Sequence, residues 1–364
     1  YISFDDGEKW KSMMSNLPTA PMYWIDIQEH FNDLVIGTYG RGIWILDDIS
    51  PLQQMNKNIE EKDMYLFNPK PSYRFHNVTS TLQMFPEAST GVDPPDGASI
   101  NFWLKEKQDQ LEIIITNTDN DTIKTIKKNG SKGINRIWWN FQGESTDEII
   151  LRTKPLYAEW VNLDKNRERK VPFSLTMISP PGTYNIHLKV GENIMTQKLE
   201  VIKDPHSEGN MEDILLQNQL MKKIYDDLNI AINYINSIEI IRRQLLDLKS
   251  MLSNTNKKEE LISLVDSLEI DFLNIEKKLI QLKETGKGQD DVRFPKMIGG
   301  KLAYLGGNVP NADFRPADSY YQVYELLNKR LTDVGKKFET LKNNRLKDVI
   351  SNLNKEGISL IVIK

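Results

Sequence analysis

Adjacent aspartates, as at Asp5–Asp6, Asp47–Asp48 and Asp290–Asp291, have the residue types from which an acid–base pair could be made. Two carboxyl groups held roughly 5 to 9 Å apart can act as acid and as base or nucleophile at a glycosidic bond. Neighbouring residues on a strand point to opposite faces, so the first two pairs are poorly placed to flank one bond. The histidines His30, His76, His187 and His206 are scattered, with neither H-x-x-x-H nor H-E-x-x-H spacing, and draw no zinc site. There is no cysteine, which removes thiol nucleophiles and thiolate metal ligands, and no G-x-S-x-G elbow. No catalytic residue, cofactor or metal is expected from these residues.

The glycine cluster "GTYGRGIWILDD" raises a second chemistry, phosphate binding. Its glycines, Gly37, Gly40 and Gly42, do not keep G-x-G-x-x-G spacing. Ile43 and Trp44 stand where a P-loop needs Lys and Ser or Thr, and the β-branched run that follows starts no helix. The cluster reads instead as a turn between strands, with Gly40 and Gly42 at positive φ and Arg41 projecting from it. Two further candidate surfaces remain. Trp103, Trp138, Trp139 and Trp160 with Tyr184 could form a stacking platform for a sugar, although a sandwich core is the commoner place for such rings. Arg293, Phe294 and Pro295 with Arg315 and Pro316 could anchor a docking partner, or could simply wrap the end of a helical region.

These candidates must be positioned by a chain of 364 residues, 39% hydrophobic and 27% charged, with a net charge of −4. That composition is ordinary for a globular protein of two or three domains and gives no electrostatic footprint for nucleic acid. No run of apolar residues is long enough for a transmembrane helix. Residues 1–55 read as short strands ("YISF", "MYWIDIQ", "DLVIGTY", "GIWILDD") suited to a sandwich, a barrel or a propeller blade. Residues 66–204 give a further series of strands, whose number and spacing predict an immunoglobulin-like or fibronectin III-like β-sandwich, with 143–178 as an irregular insertion at one end.

After Pro205 the period changes. Apolar residues from Met221 to Leu252, from Leu261 to Leu282 and from Tyr320 to Leu341 recur at alternating threes and fours. Such stripes predict three helices, the first about 60 Å long at 1.5 Å per residue. The short breaker "SNTNKK" makes the first two antiparallel neighbours, so 209–364 reads as an antiparallel helical bundle with a long loop over 285–318. Within that loop "KLAYL" could form a turn or two of helix, and the apolar tail "GISLIVIK" should pair or pack. Lys and Arg interspersed with Glu and Asp along the helices read as solvated faces.

One motif narrows the strand repeat. "SFDDGEKW" sets Ser3, Asp5, Gly7 and Trp10 in the order S-x-D-x-G-x-x-W, which resembles the Asp-box of bacterial-neuraminidase repeats in β-propellers. In that motif the residues are structural: Asp accepts amide hydrogens of its own turn, Gly supplies the left-handed residue, and Trp packs beneath. "GTYGRGIWILDD" is similar to the closing-blade segment of sortilin-like propeller proteins, and "PPDGASINFWL", "INRIWWNF", "PPGTYNIHL", "FPKMIGGKLAYLGGNV" and "ADFRPADSYYQVYELLNKRL" continue the likeness. The chain thus resembles the C-terminal half of large bacterial secreted proteins often labelled glycosyl hydrolases. The resemblance implies the last blade or blades of a propeller in 1–55, an N-terminal propeller as partner, and an extracellular or cell-envelope location. Tyr1 begins within a strand pattern, which suits a chain preceded by further blades. Two functions follow: a non-catalytic accessory region that buttresses the propeller or binds a peptide or carbohydrate, or part of a propeller glycoside hydrolase whose carboxylates lie upstream.

Overall fold

The computed structural model describes residues 1–75, 94–156, 158, 161–163, 168–171, 174–254, 259–285 and 288–358. A β-rich region is followed by a helical one. By contacts the chain divides into two units, residues 1–144 with 178–207, and residues 145–177 with 208–364. The segment expected as an insertion in the sandwich is therefore mostly part of the helical unit. The start of the tail is described as far as Ile358, which is buried; the remainder lies outside the described residues.

In the first unit, β1 (Met22–Gln28), β2 (Asp33–Thr38) and β3 (Ile43–Leu46) form an antiparallel sheet in that order. Two short helices follow, α1 (Ser50–Gln54) and α2 (Lys57–Glu60). Next come β4 (Met64–Leu66), β5 (Ser72–Arg74), β6 (Ala98–Leu104), β7 (Gln108–Thr116), β8 (Thr122–Gly130), β9 (Gly133–Trp139) and β10 (Gln142–Ser145). In the second unit lie β11 (Ile149–Leu151) and β12 (Arg169–Val171). The chain returns through β13 (Thr176–Ile178) to β14 (Gly182–Val190) and β15 (Asn193–Lys203).

Strands β5-β15-β14-β7-β8 make one sheet and β4-β6-β9 another. Period-two burial explains the arrangement: Leu111, Ile113 and Ile115 of β7, Tyr184, Ile186 and Leu188 of β14, and Ile100, Phe102 and Leu104 of β6 share one apolar core. At its end Trp139 meets Tyr184 edge to face at 5.1 Å, and the Tyr184 hydroxyl donates to Pro180 O. Burial lifts the Tyr184 phenol to about 12.

The helical unit contains α3 (Met211–Asn254), α4 (Glu259–Leu279), α5 (Asp290–Arg293), α6 (Ile298–Asn308), α7 (Asp318–Thr340) and α8 (Lys347–Lys355). All ten stripe residues of α3, from Met221 to Leu252, are buried, as are the stripe residues of α4. The ion pairs Lys249–Asp266 and Arg242–Glu276 run in opposite senses along α3 and α4, as antiparallel packing requires. Phe338 of α7 lies 5.1 Å from Tyr234 and 6.3 Å from Phe272, joining three helices at one point.

The glycine-rich stretch expected as loop is largely helical instead. Helix α6 runs eleven residues through four glycines. Gly306 shows why: a Cβ there would stand 2.5 Å from Leu175 Cδ2 and 3.2 Å from Ile224 Cγ2. The missing side chain lets the helix backbone approach the core closely, and this packing outweighs glycine's poor helix propensity.

Candidate functional site

A cavity of about 570 Å³ opens in the first unit. Its polar wall is built where β3 ends. Asp48 follows the strand at φ +46, a left-handed conformation that aspartate tolerates better than most residues. Arg136 of β9 clamps this turn, donating 2.6 Å hydrogen bonds to the carbonyls of Asp47 and Asp48 and a 2.7 Å bond to Asn101 Oδ1. The Asp48 carboxylate is buried and saturated. Its Oδ1 accepts from Ser50 N and Oγ, and its Oδ2 from Ser99 Oγ and Asn101 Nδ2. Asp33 Oδ1 accepts from Asp48 N at 2.8 Å.

Asp33, Asp47 and Asp48 all line the cavity. Both Asp47 and Asp48 follow the end of β3, so the alternation expected of strand neighbours does not govern them. They are still unsuited to acid–base work as a pair, since Asp48 has no oxygen to spare. Asp47 differs: among the described residues its carboxylate has no hydrogen-bond partner. Desolvation, and then the charges of Asp33 and Asp48, raise its pKa above the usual carboxylate value, against a lowering by Arg136.

The same cavity is lined by rings and a lysine. His30 stacks on Tyr73 at 5.7 Å and Tyr73 on Phe75 at 5.5 Å, both at 26°, with Phe31 edge-on to His30. Lys70 donates to Phe31 O and lies over the Phe31 ring at 5.7 Å. Burial lowers the Lys70 pKa, and Asp48 and Asp33 oppose that shift. None of Asp33, Lys70, His30 and Tyr73 stood out as a site residue in the sequence, because no spacing joins them.

The three-stranded sheet beside this wall carries apolar side chains on both faces, with Asp26, Gln28 and Asp33 at one end of the second face and Ile36 of the first face buried. Its register places Ile25, Ile36 and Trp44 on one side with Ile27, Leu34 and Leu46, and Trp24, Ile43, Val35 and Ile45 on the other. Exposure is high on both: 63% at Ile25, 71% at Trp24, 73% at Ile43 and 60% at Ile45.

The S-x-D-x-G-x-x-W residues form one local turn. Ser3 Oγ donates to Asp5 Oδ1 and accepts from Gly7 N at 2.8 Å, Asp5 Oδ1 accepts from Lys9 N at 2.8 Å, and Trp10 Nε1 donates to Gly7 O. The Lys9 amide contributes most to holding the Asp5 carboxyl below its usual value. Trp10 remains 62% exposed rather than packed beneath. In the second turn Gly40 and Gly42 have φ +74 and +75, Gly37 lies in β2, and Thr38 Oγ1 donates to Gly42 O and accepts from Arg41 N. Arg41 is exposed.

The tryptophan platform does not assemble. Trp139 is 1% exposed inside the sheet core and Tyr184 beside it is buried, so neither offers a face to a ligand. Trp103 packs against the small cluster of Met55, Ile59 and Phe67 and donates to Lys62 O. Trp138 lines the cavity beneath Arg136, and Trp160 lies outside the described residues. In the helical unit Arg293 donates to Thr285 Oγ1, Lys283 lies over the Phe294 ring at 5.7 Å, and Arg315 is exposed. Among the described residues no hydrogen bond, ion pair or ring contact joins Arg315 to Arg293 or Phe294.

The helical unit also holds charges the sequence reading placed in solvent. Glu239, Arg242, Glu269 and Glu276 are all buried. Arg242 reaches Glu276 at 2.6 Å, Glu269 at 2.7 Å and Glu239 at 3.1 Å. Glu239 also accepts from the Arg152 and Thr153 amides and from Thr153 Oγ1, which ties residues 152–153 to α3. Three carboxylates share one guanidinium, and burial together with Glu239 pushes Glu276 well above the usual carboxylate range. Among the described residues no group of three His, Cys, Asp or Glu is placed to hold a metal ion, and no helix is long and apolar enough to cross a membrane. No protein-family model matches the chain, and no curated protein or solved structure matches it.

Proposed function

We propose that the chain is a non-catalytic accessory region of a larger exported Asp-box protein of sortilin-like type, which buttresses a β-propeller and offers a surface for binding. The observation that carries this reading is the β1–β3 sheet. A sheet with exposed apolar side chains on both faces gains stability between two further layers, because each uncovered face leaves hydrocarbon in water. Propeller blades have that environment, with a neighbouring blade on either side. The Asp-box turn at Ser3–Trp10 and the Gly40–Gly42 turn fit the same architecture, and the two sheets that share the Ile100–Ile113–Ile186 core fit an immunoglobulin-like sandwich behind it. The saturation of Asp48 supports a non-catalytic role for this portion.

The test places one lysine on each face, Ile25→Lys and Ile43→Lys, in this chain and in the complete reading frame that encodes it. In the complete protein each substitution should lower the melting temperature by several degrees, since a lysine would be buried without a partner. In the chain alone both positions face water, and each change should stay within about 0.5 kcal/mol. Equal effects in the two proteins would remove the reading.

A further inference from the structure

We propose that the cavity at the end of β3 is a binding site for a guanidinium group, the side chain of an arginine presented by a peptide or protein partner. The polar groups near the turn after β3 differ in how much bonding capacity they have left. Lys70 is committed to the Phe31 carbonyl and ring, and Asp48 is saturated by Ser50, Ser99 and Asn101. Asp33 spends one oxygen on the Asp48 amide. On this carboxylate wall, among the described residues, what remains is acceptor capacity, both oxygens of Asp47 and one of Asp33, while Arg74, which also lines the cavity, has a partner of its own. A ligand for this wall must donate, and a cationic donor gains more than a neutral one because it also relieves the mutual repulsion of the carboxylates.

The second wall selects among cations. The His30–Tyr73–Phe75 ladder offers flat aromatic surface, on which a planar guanidinium stacks while its N–H edge meets a carboxylate in a two-pronged bond. A compact ammonium can do only one of these well. The volume, about 570 Å³, exceeds what one side chain fills and leaves room for the residues that flank it. Arg136 makes the site rigid: it grips the carbonyls of Asp47 and Asp48 from behind, so the Asp47 carboxylate is aimed by a fixed turn. This proposal does not require the β1–β3 sheet to have neighbours, so it can fail while the accessory reading stands, and the reverse.

The experiment is calorimetric titration of the full chain with an acetylated, amidated Gly-Arg-Gly tripeptide and with its counterpart carrying citrulline, the neutral isostere. The arginine peptide should bind at least about tenfold more tightly than the citrulline peptide, and added salt should narrow the gap. Asp47→Asn should abolish that preference while leaving the melting temperature nearly unchanged, because among the described residues this carboxylate has no hydrogen-bond partner to lose and the attraction of Arg136 is offset by the repulsion of Asp33 and Asp48. Phe75→Leu, at the half-exposed end of the ladder, should weaken both peptides severalfold through lost stacking. Equal affinity for the two peptides overturns the proposal. So does arginine preference that survives Asp47→Asn, tighter binding of a neutral glucose oligosaccharide than of the arginine peptide, or no heat from either peptide at about 5 mM, beyond which affinity is negligible.

Discussion

The β1–β3 sheet and the α3–α4–α7 helices use the same kinds of side chain and leave them in opposite states. Isoleucines and leucines of the helical stripes are buried at or near zero exposure, from Leu228 through Val265 to Phe338. In the sheet, Ile25, Ile43 and Ile45 stand mostly in water. The helices bury their stripes against one another, whereas the sheet buries Ile36 and leaves most of its other apolar side chains exposed. The helical unit is so closed that it even encloses charge, supplying Arg242 and the Thr153 hydroxyl to three carboxylates. The contrast teaches that self-sufficiency is decided by faces. A helix with one apolar stripe needs one partner side, whereas a sheet with two apolar faces needs two.

The largest effect that would sharpen the comparison is truncation within the helices. Phe272→Ala should cost about 3–5 kcal/mol in chemical denaturation, because the ring is fully buried against Phe338. The corresponding change in the sheet, Ile25→Ala, should cost less than about 1 kcal/mol in the chain alone. Comparable losses at the two positions would break the contrast. Next in size is Gly306→Ala, where the new methyl group meets Leu175 and Ile224. Overpacking of this kind should cost about 1–3 kcal/mol, measured by urea unfolding.

The buried carboxylates give a pH prediction. Glu276 keeps its proton in the folded state to a pH well above the ordinary carboxylate value, so above that ordinary value the folded chain binds more protons than the unfolded one. Its contribution is fully present below the unfolded pKa and is lost as pH rises through the folded one. Thermal melts should therefore show stability falling from mildly acidic toward alkaline pH, and Glu276→Gln should flatten that slope. A slope unaltered by the substitution would mean that Glu276 is ionised in the core. The smallest effect belongs to the exposed Asp-box turn: Asp5→Ala removes the acceptor of Lys9 N and Ser3 Oγ and should loosen residues 3–10 in amide exchange without a measurable change in the global melt.

Features set by short-range rules were legible in the sequence. The three-four stripe marks α3 and α4 residue by residue, and Ser3, Asp5 and Gly7 hydrogen-bond within their own turn. The glycines of α6 misled, because Gly306 serves a contact with Leu175 that no local pattern records. The buried charges were hidden for a related reason. Arg242, Glu269 and Glu276 each directly follow a stripe residue, Ile241, Leu268 and Ile275, where a charge ordinarily borders solvent. Only a third element, the chain at Thr153, covers them. The cavity was illegible for the same reason at longer range: Asp33, Asp47, Lys70 and Tyr73 line it from separate stretches of chain, and the turn after β3 is gripped by Arg136, more than eighty residues downstream of Asp48.

The central claim, that the β1–β3 sheet is poorly buried in this chain while the helical stripes are packed, is tested most directly by amide hydrogen exchange on this chain. The account predicts that amides of β2, the central strand, exchange orders of magnitude faster than those around Leu228–Ile238 of α3, because few buried contacts oppose local opening of the sheet. Protection in β2 equal to that in α3 would contradict it.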